Sequence, residues 1–129
     1  KSHPLRGALF ESWVVAEITK AHTNRGERPR LHHWRDQRGR EVDLVIDRGR
    51  YQVAVEAKSG ATIHPSFFAS IERFSALARE SVPPPPDGVR AVLVAGGGNR
   101  QQRSAGVVLP WRDIQSHPWI EGPSPDSAA

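Results

Sequence analysis

Cysteine and methionine are both missing from the 129 residues. Without cysteine there is no disulfide, no thiolate nucleophile and no cysteine-ligated zinc or iron–sulfur centre. Long apolar runs are missing too: none approaches the roughly 18 residues that a membrane span needs, and the N-terminus has no signal-peptide core. The expected setting is therefore the cytoplasm, with no membrane partner. The chain opens Lys1-Ser2-His3-Pro4 with no initiator methionine, and a piece of a longer protein is expected.

What is abundant is arginine. The net charge is +4, and 15 of the 18 basic residues are arginine, whose planar fork suits phosphate. GC-rich codon usage accounts for the same excess equally well. The length suits one domain with a core that needs no covalent staple. The expected domain covers 1–116, and the Pro, Ser and Gly content from His117 onward predicts a loose tail over 117–129.

The order of elements follows from periodicity. Leu5, Leu9, Phe10, Trp13, Val14 and Ile18 recur at helical spacing behind Pro4, and Asn24-Arg25-Gly26 ends the helix. Leu31 to Arg35 reads as a strand, followed by the turn Asp36-Gln37-Arg38-Gly39. Glu41 to Asp47 alternates, with Val42, Leu44 and Ile46 on one face. Arg48-Gly49 is a hairpin signal, and Tyr51 to Lys58 alternates again. His64-Pro65-Ser66 introduces a second helix whose apolar face is Phe67, Phe68, Ile71, Phe74, Leu77 and Ala78. Pro83 to Pro86 is a stiff connector. Val89 to Ala95 is a strand buried on both faces, and Gly106 to Leu109 is another. The expected fold is an α/β, or α+β, sandwich with a mixed sheet flanked by helices.

The two central strands carry the chemistry. With Arg48 and Gly49 as a two-residue loop, Asp43 faces Ala54 and Glu41 faces Glu56. Glu41, Asp43, Glu56 and Lys58 then project from one side. Asp43 and Glu56 become diagonal neighbours roughly 7–8 Å apart at the backbone. Two carboxylates so placed repel unless a hard divalent ion such as Mg²⁺ or Mn²⁺ joins them. An ammonium two residues along the same face can neutralise a phosphate or lower the pKa of an attacking water. The competing reading is an ordinary exposed strand face. On the first helix, Glu11 lies at the edge of the apolar arc and Glu17 inside it, so either can be the helix-borne acid. Adjacent His32 and His33 point to opposite faces and cannot easily share one ion. Arg38, Arg40, Arg48 and Arg50 at turn ends can track a nucleic-acid backbone, although solvated turns also collect arginine. Gly96-Gly97-Gly98 lacks a following Gly-Lys-Ser/Thr and reads as a flexible hairpin loop rather than a phosphate cradle.

Val42-Asp43, followed thirteen residues on by Glu56-Ala57-Lys58, resembles the signature of the PD-(D/E)XK nuclease superfamily. That group includes restriction endonucleases and Holliday-junction resolvases. Gly7-Ala8-Leu9-Phe10-Glu11 is similar to the first-helix glutamate context of its resolvase-like branch. Together with Trp34-Arg35-Asp36, Glu41-Val42-Asp43 and Glu56-Ala57-Lys58-Ser59-Gly60, these blocks also resemble a bacterial and archaeal domain of unknown function that follows an AAA-type ATPase module. The resemblance spans roughly residues 5–110. Val42 stands where the motif's proline is usual, and the chain has no phosphate-binding lysine loop of its own.

The resemblance implies a restriction-endonuclease-like αβββαβ core. It implies Asp43 and Glu56 as metal ligands, with the Ala57 carbonyl and Glu11 as further ones, Lys58 as the residue that orients or activates water, and Mg²⁺ or Mn²⁺ as cofactor. The implied activity is hydrolysis of DNA, with Arg35, Arg38, Arg40 and Arg48 as nucleic-acid contacts. The implied partners are DNA, an ATPase module in the parent chain and a second copy in a homodimer. The alternative is an inactive module of the same fold that binds nucleic acid or protein and regulates a linked ATPase.

Overall fold

Nothing between Ala8 and Asn24 breaks a helix. In the computed structural model, which describes residues 4–119, α1 runs Pro4–Thr23. It stops where Gly26 turns to φ 75° and the amide of Glu27 folds back onto the His22 carbonyl at 3.0 Å, a left-handed exit that glycine permits. The elements that follow are β1 (Arg30–Arg35), β2 (Glu41–Asp47), β3 (Gln52–Lys58), a 3₁₀ turn (Pro65–Phe68) leading into α2 (Ala69–Arg79), β4 (Val89–Ala95), β5 (Gln101–Arg103) and β6 (Gly106–Pro110), then a 3₁₀ turn at Trp111–Asp113. They form one mixed sheet in the order β1-β2-β3-β4-β6-β5. β1, β2 and β3 are an antiparallel meander. β4 joins β3 in parallel and β6 joins β4 in parallel. Parallel pairing needs a crossover, and α2 supplies it between β3 and β4.

Each face of the sheet has its own core. On one, Val14, Ile18 and Ala21 of α1 pack on Leu44, Ile46, Val53, Val55, Val92 and Val94. On the other, Phe68, Ile71 and Phe74 pack on Val42, Val45, Ala54, Leu93 and Ala95. β4 feeds alternate residues to both cores, as its continuous apolar run suggests. Among the described residues no helix is long and apolar enough to cross a membrane.

Five details depart from the reading of the sequence. The β2–β3 loop is four residues, not two: Asp47 pairs with Gln52, and Arg48 donates to the Tyr51 carbonyl at 3.0 Å. Val42 does not share a face with Leu44 and Ile46, because β2 carries a β-bulge. The pairs His32–Val45 and Trp34–Val42 leave one β1 residue, His33, opposite two of β2, Asp43 and Leu44. The extra residue flips the alternation there. Of the α1 apolar stripe, Leu5, Leu9 and Trp13 remain exposed. His117 and Trp119, expected in the tail, are buried, with Pro118 exposed between them; residues 120–129 lie outside the described residues. The Gly96–Asn99 loop is not a hairpin either, since it leads to the edge strand β5, which pairs antiparallel with β6.

Candidate active site

The four-residue loop changes the register but not its parity. Continued past the last ladder pair, Leu44 with Val55, the register puts Asp43 directly opposite Glu56 rather than diagonal to it. The β2–β3 ladder pairs no further than this, and side chains take over the hydrogen bonding. The amide of Asp43 donates to Glu56 Oε1 at 2.8 Å. The amide of Ala57 donates to Asp43 Oδ2 at 2.8 Å. Each carboxylate thereby satisfies an amide that the end of the ladder leaves without its usual carbonyl. Lys58 Nζ lies 3.9 Å from Glu56 Oε2 and 5.1 Å from the centroid of the Phe67 ring.

Charge accumulates here in a half-dry setting. Glu56 is buried, and burial together with the neighbouring Asp43 charge pushes its carboxyl up to about 8. Burial also raises Asp43, against the opposing pull of the Ala57 amide and Lys58. Glu11 reaches the same cluster from α1: burial and the Asp43 charge raise its carboxyl, and the field of Lys58 lowers it. Three acids with raised pKa values around one lysine hold more negative charge than the protein neutralises. Such clusters concentrate at functional sites.

The donor set suits a hard divalent cation, since it consists of carboxylate oxygens. Asp43 and Glu56 each keep one oxygen outside the two amide bonds, and Glu11 stands beside them. Among the described residues, however, no three acids or histidines stand together at metal-holding distance. The chemistry of the donors fits Mg²⁺ or Mn²⁺, while the carboxylates themselves are turned into the main chain.

The other residues singled out from the sequence separate clearly. Glu17 pairs with Lys20 one turn on, and its carboxylate and carbonyl oxygens accept from Gln115; Glu11 is the helix acid that feels the Asp43 charge. Glu41 faces Arg35 at 3.5 Å and His33 at 4.0 Å on the rim of the site. Arg40 is held by Asp36, Nε to Oδ2 at 2.7 Å, while the Arg38 amide bonds Asp36 Oδ1 and its side chain is exposed. These lie at the site's end of the sheet. Arg48 does not: it sits in the β2–β3 loop, 3.9 Å from Glu27, about 13 Å or more along the strand from Asp43. The arginines at turn ends are thus two groups at opposite ends of the sheet.

One contributor went unread in the sequence. The Gly96 amide donates to the Lys58 carbonyl at 2.9 Å and to the Gly60 carbonyl at 3.1 Å. A Cβ on Gly96 would lie 1.8 Å from the Ser59 carbonyl oxygen. The first glycine of Gly96-Gly97-Gly98 thus clamps the strand end that carries Lys58. The only signal for it was a glycine directly after an apolar strand.

The chain matches the family described as a domain of unknown function, DUF4143, over residues 6–114. No curated protein matches it.

Proposed function

The chain belongs to the DUF4143 family, and from that premise we propose that it is a PD-(D/E)XK-like nuclease domain that hydrolyses DNA phosphodiesters with a divalent cation. The observation that carries this reading is the meeting of Asp43, Glu56 and Lys58 at the end of the β2–β3 ladder, close enough to α1 for the Asp43 and Lys58 charges to act on Glu11. Asp43 and Glu56 would hold Mg²⁺ or Mn²⁺, with Glu11 and the Ala57 carbonyl as further donors. A bound ion supplies Lewis-acid charge and a more acidic water. Lys58 sets its ammonium where a phosphate oxygen gains charge as water attacks phosphorus in line; the P–O ester bond breaks and the departing oxygen takes a proton. Arg35, beside Glu41 on the rim, is placed to contact an adjacent phosphate, as is Arg38. An ATPase module in the parent chain is the proposed partner.

The test is calorimetric titration of Mg²⁺ and Mn²⁺ into wild type and Asp43→Ala/Glu56→Ala, followed by cleavage of labelled linear and four-way-junction DNA. Metal uptake and cleavage in the wild type, both lost in the variant, support the reading. Folded wild type that takes up neither metal nor substrate sinks it.

A second reading, a nuclease-fold module that binds without cutting, is favoured by one observation. The carboxylates of Asp43 and Glu56 already serve main-chain amides, so they also have a purely structural use. DNA binding by the wild type without metal uptake or cleavage would single out this reading.

A further inference from the structure

We propose that the apolar groove between α1 and Trp111 binds the unpaired bases of a single nucleic-acid strand whose phosphates run toward Lys58; the inference rests on the phosphodiester reading above. The groove has a volume of about 790 Å³ and is lined by Arg6, Leu9, Phe10, Trp13, Ser59 and Trp111, together with Gly96. Trp13 is 39% exposed and Trp111 43%, a large aromatic area for one small surface to leave in water. The two indoles stand edge to face, centroids 5.7 Å apart at 70°. Phe10 stacks beside Trp13 at 6.3 Å and 24°. The rings cover one another only in part, and the exposed area of both indoles borders the open groove.

Position and charge select the occupant. Ser59 follows Lys58 directly, and the Gly96 amide is bonded to the Lys58 carbonyl, so groove and acidic site share one strand end. α1 serves both, with Glu11 toward Asp43 and Phe10 and Trp13 toward the groove. The only charged side chain lining it, among the described residues, is the cation Arg6. Aromatic faces beside cations are how proteins hold unpaired bases, because every base has a π face and every link a phosphate. A duplex keeps its base faces stacked inside and cannot offer them. The substrate class implied is a single strand, or a junction or frayed end that presents one.

The test is fluorescence anisotropy in EDTA, which removes cleavage from the measurement. The probes are a labelled DNA strand, its RNA counterpart, a blunt duplex and an abasic strand of equal length. Trp13→Leu and Trp111→Leu keep an apolar side chain but lose the π face, and melting curves establish that both variants fold. Each variant is expected to bind the single strand roughly tenfold more weakly or worse, and the abasic strand and the duplex are expected to bind weakly to wild type. Equal loss on DNA and RNA supports base stacking; loss on one alone supports it and names the sugar.

Unchanged affinity in folded variants, equal binding of the abasic strand, or no strand binding by wild type overturns the proposal. So does light scattering that shows self-association through these residues, which would make the groove a protein interface. Cleavage of duplex DNA by wild type that is lost in Asp43→Ala would leave the nuclease reading standing even where the groove fails.

Discussion

The backbone amide of Asp43 donates to Glu56 Oε1 at 2.8 Å, so one acid of the site is anchored by the main chain of the residue that bears the other. The bond forms where the β2–β3 ladder ends, beyond the Leu44–Val55 pair, next to the bulge that β2 makes against β1. The end of the ladder and the acidic pair are therefore one feature, and the acids repel from a fixed distance.

That repulsion predicts an unusual pH dependence for the metal-free protein. Burial and the Asp43 charge raise Glu56 from 4.5 to about 8. The folded state then holds a proton that the unfolded state has released. Stability from this group is complete below pH 4.5 and is lost as pH rises through about 8, roughly 4–5 kcal/mol across that window. Glu56→Gln keeps the oxygen that accepts from Asp43 and has no charge to lose. Urea unfolding in EDTA is expected to show wild type weakening from pH 5 to pH 8 relative to this variant. Parallel curves would refute the assignment.

Gly96 gives a steric prediction. A methyl group there would lie 1.8 Å from the Ser59 carbonyl oxygen, which is backbone and cannot rotate away. Gly96→Ala is expected to cost about 3 kcal/mol or more and to displace Lys58, whose carbonyl the Gly96 amide holds. Gly98→Ala, with no atom closer than 3.9 Å but a φ of 79°, is the comparison: it costs only backbone strain, about 1–2 kcal/mol. Similar melting temperatures for the two variants would contradict the clamp.

These residues mark what was legible in the sequence. β2 and β4 were read to the residue, because alternation in one and a continuous apolar run in the other are strong local signals. The mixed sheet with a helix on each face followed from their order. The bulge at Asp43–Leu44 was invisible, since it arises from pairing with His33 and not from any local residue preference. The loop length was misread because Arg48-Gly49 is a sound two-residue turn in isolation, while the chain closes at Tyr51. β5 has three polar or charged residues, Gln101, Gln102 and Arg103, and is a strand only because β6 lies beside it. The acids Asp43 and Glu56 were found together despite the wrong register, because two extra loop residues preserve the face. Periodicity alone left Glu11 and Glu17 both open, and only the resemblance favoured Glu11; in the structure Glu17 is taken up by Lys20 and Gln115.

His117 predicts acid sensitivity. Burial, with the charges of Arg100 and Arg25, pushes its imidazole down to about 4. The Arg100 guanidinium, 3.2 Å from Nδ1, needs that nitrogen as an acceptor. Here the unfolded state binds the proton more readily. The stabilisation is complete above pH 6.5 and is lost as pH falls toward 4, by about 2–3 kcal/mol. His117→Gln is expected to flatten this part of the pH–stability curve, and NMR titration of the ring in wild type should show no protonation at pH 5.5.

Trp119 tests where the packed chain ends. Its ring is 2% exposed, its Nε1 donates to the Ile114 carbonyl at 2.8 Å, and it meets the His117 ring at 4.5 Å and the His22 ring at 6.4 Å. It belongs to the α1-side core with Ile18, Val92 and Leu109. Trp119→Ala should therefore cost about 3–5 kcal/mol, far more than any substitution in a loose tail. Trp119→Phe keeps most of the apolar area but removes the shorter of two hydrogen bonds to the Ile114 carbonyl, leaving only the His117 amide at 3.4 Å, for about 1 kcal/mol. A chain cut after Ser116 loses His117 and Trp119 together and should unfold at or below the denaturant concentration that unfolds Trp119→Ala. If that cut chain melts like the full one, residues 117–119 add nothing to the core and the expectation of a loose tail from His117 onward is restored.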